Sequence, residues 1–161
     1  MTARVQTIEA QNLEFDIVIP SLIAANKKQM IRLASHEVSK MIGIGERILN
    51  DRLSEQEKET PSAMGESIAI AHLHISGLKE SINVFIRLKT PVDMGAADKK
   101  AVDLFCLILT PEREGSAYLR TMARISRTLR NPQICAMLRA AQNEKTIRSI
   151  LGQNTAQSLA A

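Results

Sequence analysis

The sequence predicts a single layered α/β domain over residues 1–161, and two patterns carry this prediction. First, three strand-like runs lie between segments with helical periodicity: SIAIAHLHI from Ser67, INVFIRL from Ile82 and VDLFCLIL from Val102. Helices before and after a set of strands are typical of helices packed on a sheet. Second, the third run is almost entirely apolar, which favours a central strand covered on both faces.

The chain is predicted to begin with a strand and a helix. FDIVIPSLIA, residues 15–24, is predicted to be extended, and Pro20 restricts it to an edge strand or a bend. Asn26 is predicted to cap a helix that ends at Gly43. The apolar residues of this helix repeat at helical spacing and predict one buried face: Met30, Leu33, Ala34, Val38, Met41 and Ile42.

A shorter second helix is predicted from Gly45 to Leu53. The polar segment LSEQEKETPSAMGES that follows contains Pro61 and Gly65, so residues 53–66 are predicted to form a mobile loop before the first of the three strand-like runs. Turns are predicted at Ser76-Gly77 and around residues 93–100, between the three runs.

The last third of the chain is predicted to be helical. Ser116 is predicted to cap a helix that reaches Arg130, and Asn131-Pro132 is predicted to end it. Two shorter helices are predicted at Gln133 to Ala141 and at Glu144 to Leu151, and the tail after about residue 152 is predicted to fray.

Composition and charge disfavour several classes of function. The net charge is +4, but a nucleic-acid-binding motif and a dense basic patch with stacking aromatics are both missing from the sequence, so nucleic-acid binding is disfavoured. The longest apolar runs fall well short of the ~20 residues that cross a bilayer. The N-terminal MTARVQTIEA has no signal-peptide core, so a cytoplasmic protein without a membrane span is predicted. Cys106 and Cys135 lack CxxC spacing and are predicted to be buried, reduced thiols.

Two histidines near the end of the first run raise the question of whether they bind a metal, take part in a reaction or only pack. In an extended strand, His72 and His74 point to the same face, together with Ile68 and Ile70. A metal site would need a further ligand, and His36 lies in HEVSK, which lacks the second histidine of HExxH. No metal or cofactor is therefore predicted. The pattern alone leaves open whether His72 is a polar residue at a strand end or a reactive group.

The order of segments around His72 resembles a known family. SIAIAHL, PVDMGAADK, AVDLFCLIL with the following Pro111, and ANKKQMIRLASHEVSKMIG correspond in order to segments of the enzyme IIA domain of the phosphoenolpyruvate-dependent sugar phosphotransferase system. The resemblance is to the mannitol/fructose type and especially to its nitrogen-regulatory branch. It implies a mixed sheet of roughly five strands flanked by helices, with His72 accepting a phosphoryl group from a histidine-containing phosphocarrier protein. It also implies that Arg52 stabilises that group.

The implied chemistry explains the need for these residue types. Transfer between imidazoles needs a neutral acceptor nitrogen in line with the donor, its tautomer fixed by a hydrogen bond at the other ring nitrogen. The phosphoryl group carries spread negative charge, which an arginine or backbone N–H groups stabilise.

The sequence departs from the family pattern at the site itself. Ala71 stands for the proline before the histidine, Leu73 for the glycine after it, and Ser67 for the glycine that opens the motif. Leu73 is expected to add bulk where a partner approaches. Tyr118 stands for a second active-site histidine. Its hydroxyl could donate to a phosphoryl oxygen, or its ring could pack in the core in one helical stripe with Met122, Ile125 and Leu129.

Three functions therefore remain open. The first is a regulatory phosphocarrier in nitrogen-related signalling, favoured over sugar uptake because the sequence contains no permease segment; its regulatory target is unknown. The second is a non-catalytic interaction module that keeps the fold and has lost efficient histidine phosphotransfer. The third is nucleic-acid binding through a row of arginines, and it ranks last. These arginines, at i, i+4 and i+7, form either a solvated face or a docking site for an acidic partner: Arg120, Arg124 and Arg127.

Overall fold

A mixed sheet of five strands lies between two layers of helices in the computed structural model, which describes residues 14–160, with side chains through residue 152. The strands are β1 (Ile17–Leu22), β2 (Ala63–Gly65), β3 (Ile68–Ile75), β4 (Ile82–Val92) and β5 (Val102–Pro111). The helices are α1 (Lys27–Ile42), α2 (Glu46–Glu59), α3 (Tyr118–Leu129), α4 (Pro132–Ala140) and α5 (Glu144–Ala160).

The strand order is β1-β4-β5-β3-β2, so β5 is central. It pairs parallel with β3 and antiparallel with β4, while β1 is parallel to β4 and β2 antiparallel to β3. Residues Leu104 to Thr110 of β5 are all buried, because helices cover both faces of the sheet. The predicted central strand and the mixed five-stranded sheet are confirmed.

The two faces of the sheet have separate apolar cores, and alternate residues of β3 enter each. Helices α1 and α2 cover one face, where Ala69, Ala71 and Leu73 of β3 are buried. Helices α3, α4 and α5 cover the other face, where Ile68 and Ile70 are buried beside Ile125, Leu129, Leu138 and Ile147. His72 and His74 follow the same alternation and lie on the α3–α5 face.

The predictions for the N-terminal strand and for both ends of the first helix are confirmed, but Met41 of the predicted buried face is 59% exposed. Strand β1 is an edge strand, and its register with β4 is irregular between Ile19 and Leu22, where Pro20 removes a backbone donor. The side chain of Asn26 caps α1 by accepting a hydrogen bond from Gln29 N at 2.8 Å. Gly43 ends α1 with a φ of 74°, a left-handed conformation that glycine adopts at little cost.

The predicted mobile loop at residues 53–66 is wrong. Helix α2 continues through this segment to Glu59, and Ala63–Gly65 form β2 at the other edge of the sheet. The helix continues because Leu53 and Glu57 are buried against the rest of the domain, at 1% and 4% exposure. A carboxylate of Glu57 lies 2.9 Å from Lys27 Nζ and accepts hydrogen bonds from the backbone and hydroxyl of Ser62.

The C-terminal helices follow the predicted order, with two corrections. Helix α3 begins after Ala117 without a side-chain cap, so the predicted capping by Ser116 is wrong. Asn131 instead caps α4, and its Oδ1 accepts hydrogen bonds from the next helix's first N–H groups. Helix α5 extends to Ala160, past its predicted end at Leu151. The predicted fraying after about residue 152 falls on residues whose side chains lie outside the described part of the structure. Residues 1–13 also lie outside it.

The side chain of Arg87 joins three elements on the α3–α5 face. From β4, its guanidinium donates to the carbonyl of Pro20 in β1 at 2.7 Å and to the carbonyl of Leu138 in α4 at 2.9 Å. It also donates to the carbonyl of Ala141, immediately after α4. A single cation thus satisfies carbonyl groups at the C-terminal end of a helix, where positive charge is stabilising.

Candidate functional site

His72 lies in a small polar cluster on the α3–α5 face. Its Nε2 is 2.8 Å from Thr110 Oγ1, and the same hydroxyl is 3.0 Å from Nδ1 of His74. Nδ1 of His74 is also 3.4 Å from the carbonyl oxygen of Pro111. The parallel register of β3 and β5 sets these contacts, since it pairs His74 with Thr110. The hydroxyl of Thr110, which is 2% exposed, therefore connects the two imidazoles.

The ring of Tyr118 stacks on His72. The two ring centroids are 3.5 Å apart with an interplanar angle of 7°, whereas His74 meets His72 edge to face at 4.5 Å. Tyr118 is the first residue of α3 and packs against the apolar core of that face. The packing interpretation of Tyr118 thus has direct contacts, while hydrogen bonding of its hydroxyl to a phosphoryl group remains a prediction.

Burial keeps His72 neutral. Loss of solvation, together with a smaller effect of the neighbouring His74, lowers the pKa of His72 from its ordinary value of 6.5 to about 4. At neutral pH the ring therefore carries one proton on one nitrogen and a lone pair on the other, as a nucleophilic imidazole requires.

The residues on either side of His72 point away from it. Ala71 and Leu73 are buried on the α1/α2 face, at 3% and 1% exposure. The expectation that Leu73 adds bulk at the approach to His72 is therefore wrong, because adjacent strand residues face opposite sides of the sheet. Ser67, which opens the motif, has a φ of 67°, a left-handed conformation that favours glycine. Nearby, Asp98 accepts a hydrogen bond from Glu66 N at 2.7 Å and holds this turn.

Arg52 makes its hydrogen bond and ion pair with Glu55, and not with a member of the His72 cluster. It is within α2, which packs on the opposite face of the sheet, and its guanidinium pairs with Glu55 at 3.3 Å. The structure brings Tyr118 to His72 but leaves Arg52 on the other helical layer. The stabilising role that the resemblance implies for Arg52 remains a prediction, and this arrangement gives it no support.

Comparisons with known proteins identify the family. The model of the family described as "Phosphoenolpyruvate-dependent sugar phosphotransferase system, EIIA 2" matches residues 12–154. The chain belongs to this family. Nitrogen regulatory proteins are similar to this enzyme IIA domain: that of Bradyrhizobium diazoefficiens is 33% identical, covering 84% of this chain and 89% of the relative. That of Escherichia coli is 27% identical, covering 78% of each.

Solved structures show the same fold. Nitrogen regulatory protein IIA-Ntr from Neisseria meningitidis superposes with a TM-score of 0.77 at 24% identity, covering 84% of this chain and 92% of that one. The mannitol IIA structure from Escherichia coli gives 0.68 at 20% identity, covering 83% and 94%. The fold predicted for this IIA domain is therefore confirmed.

The sequence did not reveal Thr110 as part of the site. It is the one polar residue in the run LFCLILT, where it follows the apolar residues 104–109. Its position in that run was the available signal, but its contact with His72 depends on the register of two strands far apart in sequence. Thr110 connects the two histidines that the sequence did single out.

The remaining candidate groups lie outside the His72 cluster. Arg120 and Arg127 on α3 are exposed and Arg124 is half-buried, so docking through this stripe remains a prediction. Cys106 and Cys135 are free and buried as predicted, and burial raises the pKa of both thiols. Among the described residues, no group of three or more histidine, cysteine or carboxylate side chains is arranged to hold a metal ion. No described helix is long and apolar enough to cross a membrane.

The lowered pKa of His72 predicts acid sensitivity of the folded state. Between pH 6.5 and about 4 the unfolded chain binds a proton at this ring and the folded domain does not, so acidification through this window lowers the free energy of unfolding. The loss should stay below the roughly 3 kcal/mol of a fully buried group, because the ring is partly solvated. Urea titrations at pH 7 and pH 4.5 should show a smaller acid-induced loss in His72→Gln than in wild type. An unchanged loss in His72→Gln, matching the control His36→Gln, would contradict the assignment.

Proposed function

We propose that this IIA domain is a regulatory phosphocarrier in which His72 accepts a phosphoryl group from a histidine-containing phosphocarrier protein. The observation that carries the proposal is the neutral His72 ring, half-buried in the C-terminal half of β3, with one nitrogen in contact with the hydroxyl of the buried Thr110. A fixed nitrogen on one side of the ring and a lone pair on the other are what an acceptor imidazole needs.

The stacked Tyr118 is compatible with this chemistry. Lone pairs of imidazole nitrogens lie in the plane of the ring, whereas Tyr118 covers one face of the ring with nearly parallel planes. An in-line approach to a nitrogen therefore occurs along a direction that the tyrosine does not occupy. Stacking also restricts the orientation of the ring, which favours a single geometry of attack.

The regulatory part of the proposal rests on the relatives. The most similar proteins described above are named nitrogen regulatory proteins. For a related fold, the mannitol IIA domain of Escherichia coli has been solved in complex with a phosphorylated IIB protein. In this chain, phosphorylation would add a charge of about −1.5 to −2 beside Tyr118 and the α3 surface. That change would alter which target protein binds there, and it would occur in the cytoplasm.

A second candidate function is that of an interaction module without efficient transfer. One observation favours it: Arg52 lies in α2 on the opposite face of the sheet, where its guanidinium pairs with Glu55. Without a cation at the phosphoryl group, the transition state would gain less electrostatic stabilisation. We therefore expect transfer to be slow.

Phosphoryl labelling distinguishes the two functions. The protein is incubated with phosphoenolpyruvate, the general phosphotransferase enzyme and its histidine-containing carrier, and acid-labile phosphate is measured by intact mass. We expect slow but detectable labelling that disappears in His72→Ala and survives in His74→Ala. Labelling that persists in His72→Ala would remove the site assignment. A wild-type protein that stays unlabelled while the carrier is fully phosphorylated would favour the interaction module.

A further inference from the structure

We propose that a cavity between the C-terminal end of α3, the start of α4 and the first half of β3 is a binding site for a small organic carboxylate with an apolar body. The cavity has a volume of about 310 Å³. The described residues that line it do not include His72, His74, Thr110 or Tyr118, so it is separate from the His72 cluster. The inference therefore goes beyond phosphoryl transfer and does not rest on it.

The floor of the cavity is apolar. It is lined by four buried residues from three elements: Ile68, Ile70, Leu129 and Cys135. The thiol of Cys135 donates a hydrogen bond to the carbonyl of Leu129 at 3.1 Å, and burial raises its pKa, so it adds no negative charge. An apolar group is stabilised by burial on such a floor, whereas a polar group would lose its hydration without replacement. At the ~30 Å³ that one water occupies in the liquid, the volume corresponds to about ten non-hydrogen atoms.

The charges around the mouth of the cavity leave one cation without a carboxylate. Arg139 pairs with both carboxylate oxygens of Asp103, at 2.7 and 3.0 Å, and the carboxylate of Glu66 lies 3.0 Å from Lys100 Nζ. Arg130, at the C-terminal cap of α3, is exposed, and its guanidinium makes no hydrogen bond or ion pair with another described residue. One positive charge is therefore uncompensated, which is complementary to a single carboxylate group.

The first turn of α4 does not offer an alternative site for the anion. Pro132 has no backbone N–H, and the next two N–H groups donate to the side chain of Asn131 at 2.9 and 3.4 Å. The donors must therefore come from the arginine side chains. Nη1 of Arg139 makes no hydrogen bond within the described part of the chain, so it can donate to a carboxylate that Arg130 attracts.

The wall formed by the turn between β2 and β3 is held in place. Gly65, Glu66 and Ser67 have positive φ values of 93°, 55° and 67°, which residues other than glycine adopt at a cost. A carboxylate oxygen of Asp98 accepts a hydrogen bond from Glu66 N at 2.7 Å, and Nη2 of Arg139 donates to the carbonyl of Glu66 at 3.4 Å. Because other elements fix this turn, the cavity is formed without a ligand, and binding requires little further ordering.

Binding is tested by ¹H–¹⁵N correlation NMR of the full chain, with 3-phenylpropionate as the probe. This probe joins a phenyl ring to one negative charge, and 3-phenylpropionamide is a neutral control of the same shape. We expect 3-phenylpropionate to cause saturable shifts of the amides that surround the cavity, at residues 64–70, 126–130 and 133–139. The neutral amide should bind about tenfold more weakly, the factor that corresponds to loss of one charge-assisted hydrogen bond.

Two variants and one matched control locate the site. Arg130→Gln should weaken binding of 3-phenylpropionate by about tenfold and leave binding of the neutral amide unchanged. Ser126→Phe places a ring in the cavity and should abolish binding of both probes. Arg127→Gln removes the same charge from an exposed position of α3 that does not line the cavity, so it should bind 3-phenylpropionate as wild type does.

Four results would overturn the inference. The first two are a lack of saturable shifts, or shifts confined to amides elsewhere in the domain. The third is equal affinity for the carboxylate and the neutral amide. The fourth is an equal loss in Arg130→Gln and Arg127→Gln, which would show that general charge attraction binds the probe. Undiminished binding in a folded Ser126→Phe variant would also exclude the cavity, and if that variant does not fold, the comparison of the two arginine variants decides.

Discussion

Replacing Lys27 by methionine should lower the free energy of unfolding by about 3 kcal/mol. The ammonium of Lys27 lies 2.9 Å from the carboxylate of Glu57, whose side chain is only 3% exposed. Removal of the lysine leaves a buried charge with only the hydrogen bonds from Ser62 to compensate it. We expect the lower end of the range known for broken buried pairs, because one third of the lysine side chain is exposed.

Two further variants make this prediction specific. Lys40→Met removes a similar ion pair, to Glu37, in which both side chains are exposed, so it should cost less than about 1 kcal/mol. The double variant Lys27→Met/Glu57→Gln removes both charges and should recover part of the loss in urea unfolding. Equal losses in Lys27→Met and Lys40→Met would show that the buried position of Glu57 does not matter.

Replacing Arg87 by methionine should also cost about 3 kcal/mol. The change removes the donor shared by the carbonyls of Pro20, Leu138 and Ala141 while keeping much of the apolar stem. Hydrogen bonds from a charged donor contribute about 1.5–3 kcal/mol each, and partial solvation of the freed carbonyls reduces their sum.

The loss should be localised to the elements that Arg87 joins. Amide hydrogen exchange is expected to accelerate in α4 and in β1 of Arg87→Met, with little change in α2. Arg47→Met, at an exposed position of α2, is the matched control and should be within about 0.5 kcal/mol of wild type. Unchanged protection of α4 in Arg87→Met would contradict the role of this guanidinium.

Local signals in the sequence were sufficient for most of the fold. Asn26 and Gly43 set the ends of α1 through contacts within a few residues, and the apolar run of β5 reflects burial on both faces. The extent of α2 was missed because its second half has few apolar residues. In the sequence, Glu57 is typical of a solvated helix face. Only the fold brings Lys27 and Ser62 into contact with its carboxylate. Such long-range compensation of a charge has no signature in a local pattern.

The site was predictable to a smaller extent. Resemblance to a family drew attention to His72 and Tyr118, and the structure brings these two rings together. The orientation of Leu73 follows from strand alternation, which places it on the face opposite His72, whereas the family motif alone does not indicate which face a residue occupies. Thr110 depends on the register between β3 and β5, which no short segment encodes.

The two edge strands of the sheet also limit how this domain can bind other proteins. One edge strand is interrupted at Pro20 and the other consists of the three residues Ala63–Gly65. Neither β1 nor β2, as described, offers a long continuous ladder of unpaired amides on which a foreign strand could grow. Addition of a partner's strand along β1 or β2 is thereby disfavoured, as is polymerisation through these two strands.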